Sequence, residues 1–577
     1  MVTLGKRLLF EHVFEEDGLT IDDYILSIEK TIGLRLGSAL IEATFNREFP
    51  LSEEEFIEKW VSKFETSISD KIVAGYKDGY KILNAYSSLK VTECILSRDE
   101  EKVDEQPDEE TELLLLKAYL RLNNSQKEKE DLCIPKFDDD PNLDNIEKQI
   151  AFMISISYSD YDYSNYDIRV VLSSQIYKIT KFFKYLENNN LSEHIEVFCV
   201  KYGIDNWREW LKKFYAFILP LIEKEYRGTH YDLLLDEKSE DYIKNKLFIE
   251  ALTINEADDH VLPDFINMRS NPLVKINENT YQVIYKLFAV EKTFKSVTFE
   301  FSLDVNNKVS KENKIKNFRS EFCGNFSENI ILYDVMKDAF PKRMIHLSGQ
   351  DFLNAGHSGE PDYYIRFKNK VFLIESKDVV LRGDIKQSRN YYDISPALAR
   401  KLWYEDKATK TVSRSVRQLG QMILSFTNKE YHHLDSDCKE ENCRIYPIII
   451  VNDRQFDSLG VNALIQEWWK TEIVESGVDN LKNIITPPVI INIDGLISFQ
   501  DLLKRREVKI ESIIESYWHH VNMTNFKARS MQEVIARRTQ SFISFGDYLN
   551  SYIAEKGKWG IPSFLIPYGS EVFDTDA

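Results

Sequence analysis

The chain has 577 residues, of which 43% are hydrophobic and 29% are charged, a composition that is typical of folded proteins and excludes a disordered chain. No apolar run approaches the roughly 20 residues that cross a bilayer, and the amino terminus reaches acidic residues before any apolar core of secretory length, so we expect a cytoplasmic protein. The net charge of -20 argues against nucleic-acid binding over the whole surface, because affinity for phosphates comes from cations.

The length predicts several domains of roughly 100–200 residues each, and the first two are expected to be helical. Apolar residues recur at three- and four-residue intervals through residues 1–95, the first predicted domain. An acidic stretch at 97–110 has almost no large apolar residue and is predicted to be a solvated linker. A second helical domain is predicted at 112–260, with a polar interruption at 123–145.

The pattern changes near residue 272, and residues 261–460 are predicted to form an α/β domain. Two short β-branched and aromatic runs within 272–285 flank Asn-Glu-Asn and indicate a hairpin, and residues 296–305 alternate like a half-buried strand. A helix, two strands, a helix and a strand then follow, in the order 326–340 with Ser327 as N-cap, 362–367, 370–378, 411–426 and 445–451. Residues 461–577 are predicted to form a helical carboxyl-terminal region.

Two acidic residues and a lysine occupy the two adjacent predicted strands. Glu375 and Lys377 stand at the end of an apolar run, and because side chains alternate along a strand, both project from the same face. Asp362 begins the preceding strand and comes close to Glu375 if the two strands pair as a hairpin across Asn369. The pattern therefore predicts two carboxylates and one amine at a single site.

This set of groups suits phosphodiester hydrolysis. The reaction needs a hard divalent cation to offset the charge of the phosphate, and Mg²⁺ or Mn²⁺ prefers carboxylate oxygens. Asp362 and Glu375 are therefore candidate metal ligands. Lys377 beside them can orient the attacking water and favour its deprotonated form. We expect a metal-dependent phosphodiester hydrolase with these three residues at its catalytic centre.

Between residues 326 and 452, the motif and the order of elements resemble the PD-(D/E)xK nuclease superfamily, which includes many restriction enzymes. The resemblance implies an α/β fold with a restriction-endonuclease-like α-β-β-β-α-β core, a large, mostly α-helical amino-terminal region and a helical carboxyl-terminal region. In that family the first helix often supplies another acid and the second helix often carries a glutamine. Glu328 and Gln418 match those places, which makes Glu328 a candidate metal ligand and Gln418 a candidate catalytic residue.

The same resemblance implies an endonuclease whose substrate is DNA. Large helical attachments resemble those of restriction and antiviral-defence nucleases, which gives the helical regions an expected role in recognising a substrate, a protein partner or a second copy of the chain. That role rests on analogy between families. No membrane partner is expected.

The segment that carries the motif is cationic within an acidic chain. Residues 361–420 contain 13 Lys and Arg against 7 Asp and Glu, a balance of +6. Four of these cations are candidate nucleic-acid contacts: Lys386, Arg389, Arg414 and Arg417. Arg414 and Arg417 lie three residues apart on the predicted helix, so we expect them to share the side of the helix that faces the metal.

Three alternatives stay open at the level of the sequence. RNA can replace DNA as the substrate, because metal chemistry at the phosphate depends little on the sugar. The fold can also persist as a catalytically inactive scaffold whose acidic exterior binds proteins, although an intact acid-acid-lysine set argues against this. Finally, one loop contains four zinc-type ligands, His432, His433, Cys438 and Cys443; its loose spacing disfavours a zinc site.

Overall fold

A computed structural model describes residues 6–45, 53–98, 108–222, 230–255, 262–357, 359–481, 484–523, 537–538, 540–557 and 560–573, together with residue 533. Within these ranges the chain is mostly helical and also forms three small sheets, so the fold is mixed α/β. No helix in the described ranges is both long enough and apolar enough to cross a membrane.

The amino-terminal region is helical, as its apolar spacing predicts. Its helices are α1 (Ile21–Leu26), α2 (Lys30–Phe45), α3 (Glu53–Val61), α4 (Thr66–Lys77), α5 (Ala85–Leu96) and α6 (Asp108–Asp138). Helix α6 continues through most of the polar interruption predicted at 123–145, so that prediction is wrong for residues 123–138. Some of its polar side chains are buried and hydrogen-bonded; for example, the Asn123 amide donates to the backbone oxygens of Leu8 and Ile82 at 2.9 and 3.2 Å. Most of the predicted linker at 97–110 lies outside the described residues.

A second group of helices follows and confirms the helical periodicity that resumes near residue 146. These helices are α7 (Asn145–Ser157), α8 (Tyr161–Ser164), α9 (Ile168–Asn188), α10 (Ser192–Tyr202) and α11 (Trp207–Ile218). Aromatic packing holds them together: Phe183 on α9 stacks on Trp207 of α11, with ring centroids 5.1 Å apart.

A three-stranded antiparallel sheet comes next and contains the predicted hairpin at 272–285. Its strands are β1 (Tyr231–Leu234), β2 (Leu273–Asn277) and β3 (Thr280–Val283), in the order β1-β3-β2. Around them lie α12 (Tyr242–Glu250), α13 (Ile266–Ser270) and α14 (Lys286–Glu291).

Residues 296–305 are helical, so the predicted strand is wrong. Helix α15 (Lys295–Glu300), a π-helical turn over Phe301–Val305 and α16 (Asn306–Lys308) form one continuous helix. Val297, Phe301 and Val305 are four residues apart and all are buried, whereas Leu303 is exposed. An alternating apolar pattern also contains a four-residue period, and here the packing selects the helix.

The largest sheet has five strands and includes both strands of the predicted motif. Its strands are β4 (Ile345–Ser348), β5 (Tyr363–Phe367), β6 (Lys370–Lys377), β9 (Arg444–Val451) and β10 (Val489–Asn492), while β7 (Tyr404–Lys407) and β8 (Lys410–Ser413) form a separate hairpin. The order is β10-β9-β6-β5-β4. Strands β4, β5 and β6 form an antiparallel meander, and β6, β9 and β10 are parallel.

Helices flank this sheet along the chain. They are α17 (Phe318–Phe322), α18 (Tyr333–Ala339), α19 (Gly349–Asn354), α20 (Gly383–Lys386), α21 (Tyr391–Leu402), α22 (Ser415–Thr427), α23 (Val461–Glu475), α24 (Ile493–Lys504), α25 (Ile510–Val521), α26 (Phe545–Glu555) and α27 (Leu565–Phe573). A π-helical segment, Cys323–Leu332, joins α17 to α18. Helix α22 packs against β6 and β9. Strand β10 comes from the region predicted to be helical, so the sheet crosses the boundary predicted at residue 460.

Candidate active site

Strand β6 carries two of the three predicted catalytic residues. It lies at the centre of the sheet between β5 and β9, and its apolar run from Val371 to Ile374 is fully buried. At the carboxyl end of the strand, Glu375 and Lys377 project from the same face, and the Lys377 ammonium donates a hydrogen bond to Oε1 of Glu375. Only 1% of the Glu375 surface is exposed. The apolar run therefore anchors a hydrogen-bonded pair, the buried Glu375 and the partly exposed Lys377, at the end of the strand.

Asp362 immediately precedes β5 and reaches the same point. Its Oδ2 atom accepts a hydrogen bond from the backbone N–H of Ser376, with a donor–acceptor distance of 2.6 Å. Ser376 lies between Glu375 and Lys377, so this bond fixes Asp362 beside both of them. The structure thus brings the three predicted residues together, and it does so through the antiparallel pairing of β5 with β6.

Three carboxyl groups share this site with one ammonium group. Burial and the charge of Asp362 raise the pKa of Glu375 to about 8, against the opposing effect of Lys377. Burial and Asp362 likewise raise the pKa of Glu328 to about 7, and burial raises the pKa of Asp362. Burial alone would lower the pKa of Lys377, but the charges of Glu375 and Asp362 outweigh it and raise that pKa. One ammonium group is therefore too little positive charge to balance three carboxylates, whose pKa values rise, whereas the acids keep Lys377 protonated.

Glu328 comes from the π-helical segment between α17 and α18. Ser327 is not an N-cap, because the helix begins earlier, at Phe318; the prediction is wrong on this point. The Ser327 hydroxyl instead donates to Oδ2 of Asp378 at 2.5 Å, which ties this helix to the residue that follows Lys377. Segments of π-helix are rare and often occur at functional sites. Here the segment places Glu328 within electrostatic reach of Asp362.

Sequence reasoning missed one acidic neighbour, Glu360. Its charge contributes to the raised pKa of both Glu328 and Asp362, so it lies close to the carboxylates of the site. Glu360 belongs to the loop that leads into β5, near Asp362 in sequence. That closeness was the available signal, but a loop has no periodicity from which the direction of a side chain can be deduced.

Two of these carboxylates, Asp362 and Glu375, are candidate ligands of a divalent cation. Oε2 of Glu375 is buried and accepts no hydrogen bond from the described residues, and an unpartnered buried carboxylate oxygen is costly. No group of three or more Asp, Glu, His or Cys side chains among the described residues is arranged to hold a metal ion. Mg²⁺ does not require such a group, since it usually keeps several waters and binds one or two carboxylates. Asp362 and Glu375 are therefore the residues that would hold such an ion, with Glu328 nearby.

An open groove of about 790 Å³ leads to the site. Its walls carry three cations, Arg319, Lys377 and Arg414, and two acids, Glu328 and Asp378. The Arg319 guanidinium pairs with Asp378 and so connects α17 to the end of β6. The groove gives a large polar molecule access to Lys377 and Glu328 from solvent.

The two arginines predicted to share one side of α22 diverge in the structure. Arg414 lines the groove and also hydrogen-bonds to Glu405. Arg417 pairs with Glu472 and Glu475 at 3.1 and 2.7 Å and thereby holds α22 against α23. The prediction that both arginines face the groove is wrong for Arg417, because α23 supplies its partners. Arg414 stays a candidate phosphate contact.

Gln418 stays a prediction. It is half-buried on α22, the helix that packs against β6. Its side chain makes no hydrogen bond within the described residues, and it is not among the residues that line the groove.

Lys386 and Arg389 are buried in ion pairs, so the prediction that they contact phosphate is wrong. Nζ of Lys386 lies 2.7 Å from Oδ1 of Asp162, and the residue has no exposed surface. Arg389 is 2% exposed and pairs with Glu130 and Asp160 at 2.9 and 3.0 Å. These acids come from the amino-terminal half of the chain. The two cations therefore hold the segment after β6 against the helical region.

The four zinc-type side chains in the loop before β9 do not converge on one point. The sulfur atoms of Cys438 and Cys443 lie 3.6 Å apart. His432 contacts Glu440 at 3.1 Å, and His433 stacks against another histidine. The loop is therefore held by separate pairwise contacts.

No family model, no curated protein and no solved structure matches the chain. The resemblance to the PD-(D/E)xK superfamily therefore rests on the motif and the order of elements. The geometry of the site supplies the remaining support for a function.

We expect Glu375→Gln to be more stable than the wild type at pH 8 in a chelator. The folded-state pKa of Glu375, about 8, exceeds its ordinary value of 4.5, so the folded state favours the protonated carboxyl group. The stability that this supplies is complete below pH 4.5 and is lost as the pH rises through 8. Glutamine does not ionise, so relative to the wild type the variant should gain free energy of unfolding between pH 4.5 and pH 8, by at most about 5 kcal/mol at about 1.4 kcal/mol per pKa unit.

Urea unfolding at about pH 5 and about pH 8 measures this difference. Glu54→Gln is the control, because Glu54 is an exposed residue on α3; it should match the wild type at both values. If the difference in free energy of unfolding between Glu375→Gln and the wild type is the same at both pH values, the pKa of Glu375 is not raised in the folded state and the prediction is wrong.

Proposed function

We propose that the protein is a metal-dependent endonuclease that hydrolyses phosphodiester bonds of DNA. The main support is the convergence of Asp362, Glu375 and Lys377 from two adjacent strands beside an open, partly cationic groove. Crowded carboxylates with raised pKa values are costly to fold, and such groups cluster at functional sites. The succession of α18, the β4–β6 meander, α22 and β9 supports a restriction-endonuclease-like core around them.

Asp362 and Glu375 would hold a Mg²⁺ or Mn²⁺ ion, with Glu328 as a further acid. When bound, such a cation offsets negative charge on the phosphate and lowers the pKa of water. The chain positions the two acids by different means: alternation along β6 directs Glu375, and the backbone N–H of Ser376 holds Asp362. Neither acid depends on a flexible loop side chain for its placement.

Lys377 is the residue expected to act directly on the reacting groups. Because its acidic neighbours raise its pKa, it is an ammonium at neutral pH and cannot accept a proton. Its Nζ can donate hydrogen bonds to the attacking water or to a phosphate oxygen, and it can stabilise the negative charge that develops there. Lys377 therefore acts by positioning and charge stabilisation, and it is not the general base.

A cleavage assay on circular and linear substrates tests this function. We expect the full-length protein to nick or linearise supercoiled plasmid and to cut linear duplex DNA with Mg²⁺ or Mn²⁺, and to lose this activity in EDTA. Parallel reactions with single-stranded DNA and RNA define the substrate class. Cleavage that persists in EDTA would contradict the metal site, and no cleavage of any of the four polymers with either metal would favour a catalytically inactive scaffold.

A further inference from the structure

A basic segment, residues 308–319, connects α16 to α17 and adjoins the groove. It contains five Lys and Arg against one Glu, a balance of +4 in a chain whose net charge is -20. The motif does not involve these residues, and they lie outside the cationic stretch at 361–420. A short run of lysines is usually a solvated surface with no binding role. The contacts of this segment, and its position in the fold, must therefore support any function assigned to it.

Polar side chains of α10 and α16 hydrogen-bond to the basic segment or support the residues that do. Asn306, only 5% exposed, donates from Nδ2 to the backbone oxygen of Ile315 and accepts from its N–H, both at 3.0 Å. His194 has no exposed surface and lies 3.1 Å from the same Asn306 oxygen. Glu193 accepts hydrogen bonds from the backbone N–H and the hydroxyl of Ser310 at 2.7 and 2.8 Å. The segment is therefore an ordered loop, held by hydrogen bonds to neighbouring side chains.

This loop presents three cations without a carboxylate partner. Lys311, Lys314 and Lys316 are exposed, and none forms an ion pair within the described residues. Lys314 donates only to the neutral amide oxygen of Asn307, at 2.7 Å. Lys386, by contrast, pairs with two acids, the buried Asp162 and the partly exposed Asp264. Although the chain has an excess of acids, these three lysines form no ion pair within the described residues, so their positive charge is available to an anionic ligand.

The basic segment also reaches the candidate active site at its carboxyl end. Its last three residues, Asn317, Phe318 and Arg319, line the same groove as Glu328 and Lys377. Asn317 adopts a left-handed backbone conformation, with φ of 54°, which turns the chain from the loop into α17. Lys311, Lys314 and Lys316 precede Asn317 by one to six positions in the chain.

We propose that Lys311, Lys314 and Lys316 bind backbone phosphates of the DNA that enters the groove. This inference rests on the proposed nuclease function and assigns the surface that receives its substrate. Lysine ammonium groups act as point charges on phosphates and read no base identity, so the surface should contribute affinity without sequence preference. Lys386, Arg389 and Arg417 form ion pairs within the protein. We therefore assign the phosphate contacts to the three lysines instead.

A binding titration with the triple variant K311Q/K314Q/K316Q tests the proposal. The probe is a fluorescent duplex of about 25 base pairs, in EDTA, at several salt concentrations between about 50 and 200 mM. We expect affinity to fall by about 10- to 50-fold at the lowest salt, and the log–log salt slope to flatten by about 0.9 per lost contact, or by up to about 2.7 for all three. Thermal unfolding should be unchanged, because all three side chains are exposed.

The matched control is K212Q/K238Q/K244Q, which removes the same charge from exposed lysines that lie far in sequence from the groove-lining residues 317–319. It should bind like the wild type. If the wild type cleaves DNA and the two triple variants bind alike, the inference is overturned while the proposed function survives. If the wild type binds the duplex through these lysines but no polymer is cut, the phosphate surface stands and the nuclease function falls. A wild type that neither binds nor cuts DNA overturns both.

Discussion

The Lys377→Met variant is expected to cleave DNA about 10³-fold more slowly than the wild type and to stay folded. Methionine keeps most of the apolar length of the side chain but removes the ammonium that contacts Glu375. Losing one preorganised donor to a developing charge typically costs about 10²- to 10³-fold in rate. Here the same change also leaves Glu375 and Asp362 without their neighbouring cation. The measurement is the cleavage rate at saturating DNA with Mg²⁺, together with circular dichroism to verify the fold.

Lys370→Met is the matched control for this prediction. Lys370 lies at the other end of the same strand, and its Nζ is 3.2 Å from Oε1 of Glu511, away from the site. This variant should cleave DNA at close to the wild-type rate. Rapid cleavage by Lys377→Met, or an equal loss in Lys370→Met, would place the chemistry outside the motif. A Glu375→Gln variant with wild-type activity would do the same for the proposed metal ligand.

The convergence at the end of β6 could be predicted from the sequence because it depends on local rules. Alternation along one strand puts Glu375 and Lys377 on one face, and a hairpin brings Asp362 to them. The position of β6 at the centre of the sheet could also be predicted, because a strand that is buried on both faces has a continuous apolar run, here Val371 to Ile374. None of these steps requires knowledge of a distant segment.

Other features could not be predicted because distant segments determine them. Arg389 and Asp160 are 229 positions apart, and no local pattern shows that one neutralises the other. In the sequence, Asn123 is typical of a loop. In the structure it is helical, and its side-chain amide donates a hydrogen bond to the backbone oxygen of Leu8, which is far away in the chain. The alternating run at 296–305 is compatible with a strand and with a helix, and only its packing decides. The phosphate surface proposed for 308–319 has the same origin, since its position depends on how the chain folds back to the groove.

Arg389→Met is expected to lower the free energy of unfolding by about 3 kcal/mol, and urea unfolding measures the loss. The Arg389 side chain is 2% exposed and pairs with Glu130 and Asp160. Glu130 keeps Arg7 as a partner at 2.6 Å, but Asp160 has no other ion pair within the described residues. Removing one partner of a buried pair costs about 3–5 kcal/mol, because the remaining charge is uncompensated. We expect the low end, since 18% of the Asp160 side chain is exposed.

Two further variants separate this structural role from a phosphate contact. Asp160→Asn in the Arg389→Met background should recover part of the lost stability, because it removes the stranded charge. Arg382→Met is the control: Arg382 is 78% exposed and pairs with Asp384 at the surface, so its loss should leave unfolding unchanged. If Arg389 instead contacted DNA, its variant would bind more weakly while unfolding like the wild type. Because its guanidinium faces acids of the helical region and not solvent, we expect the reverse: lower stability, with unchanged DNA affinity for the molecules that remain folded.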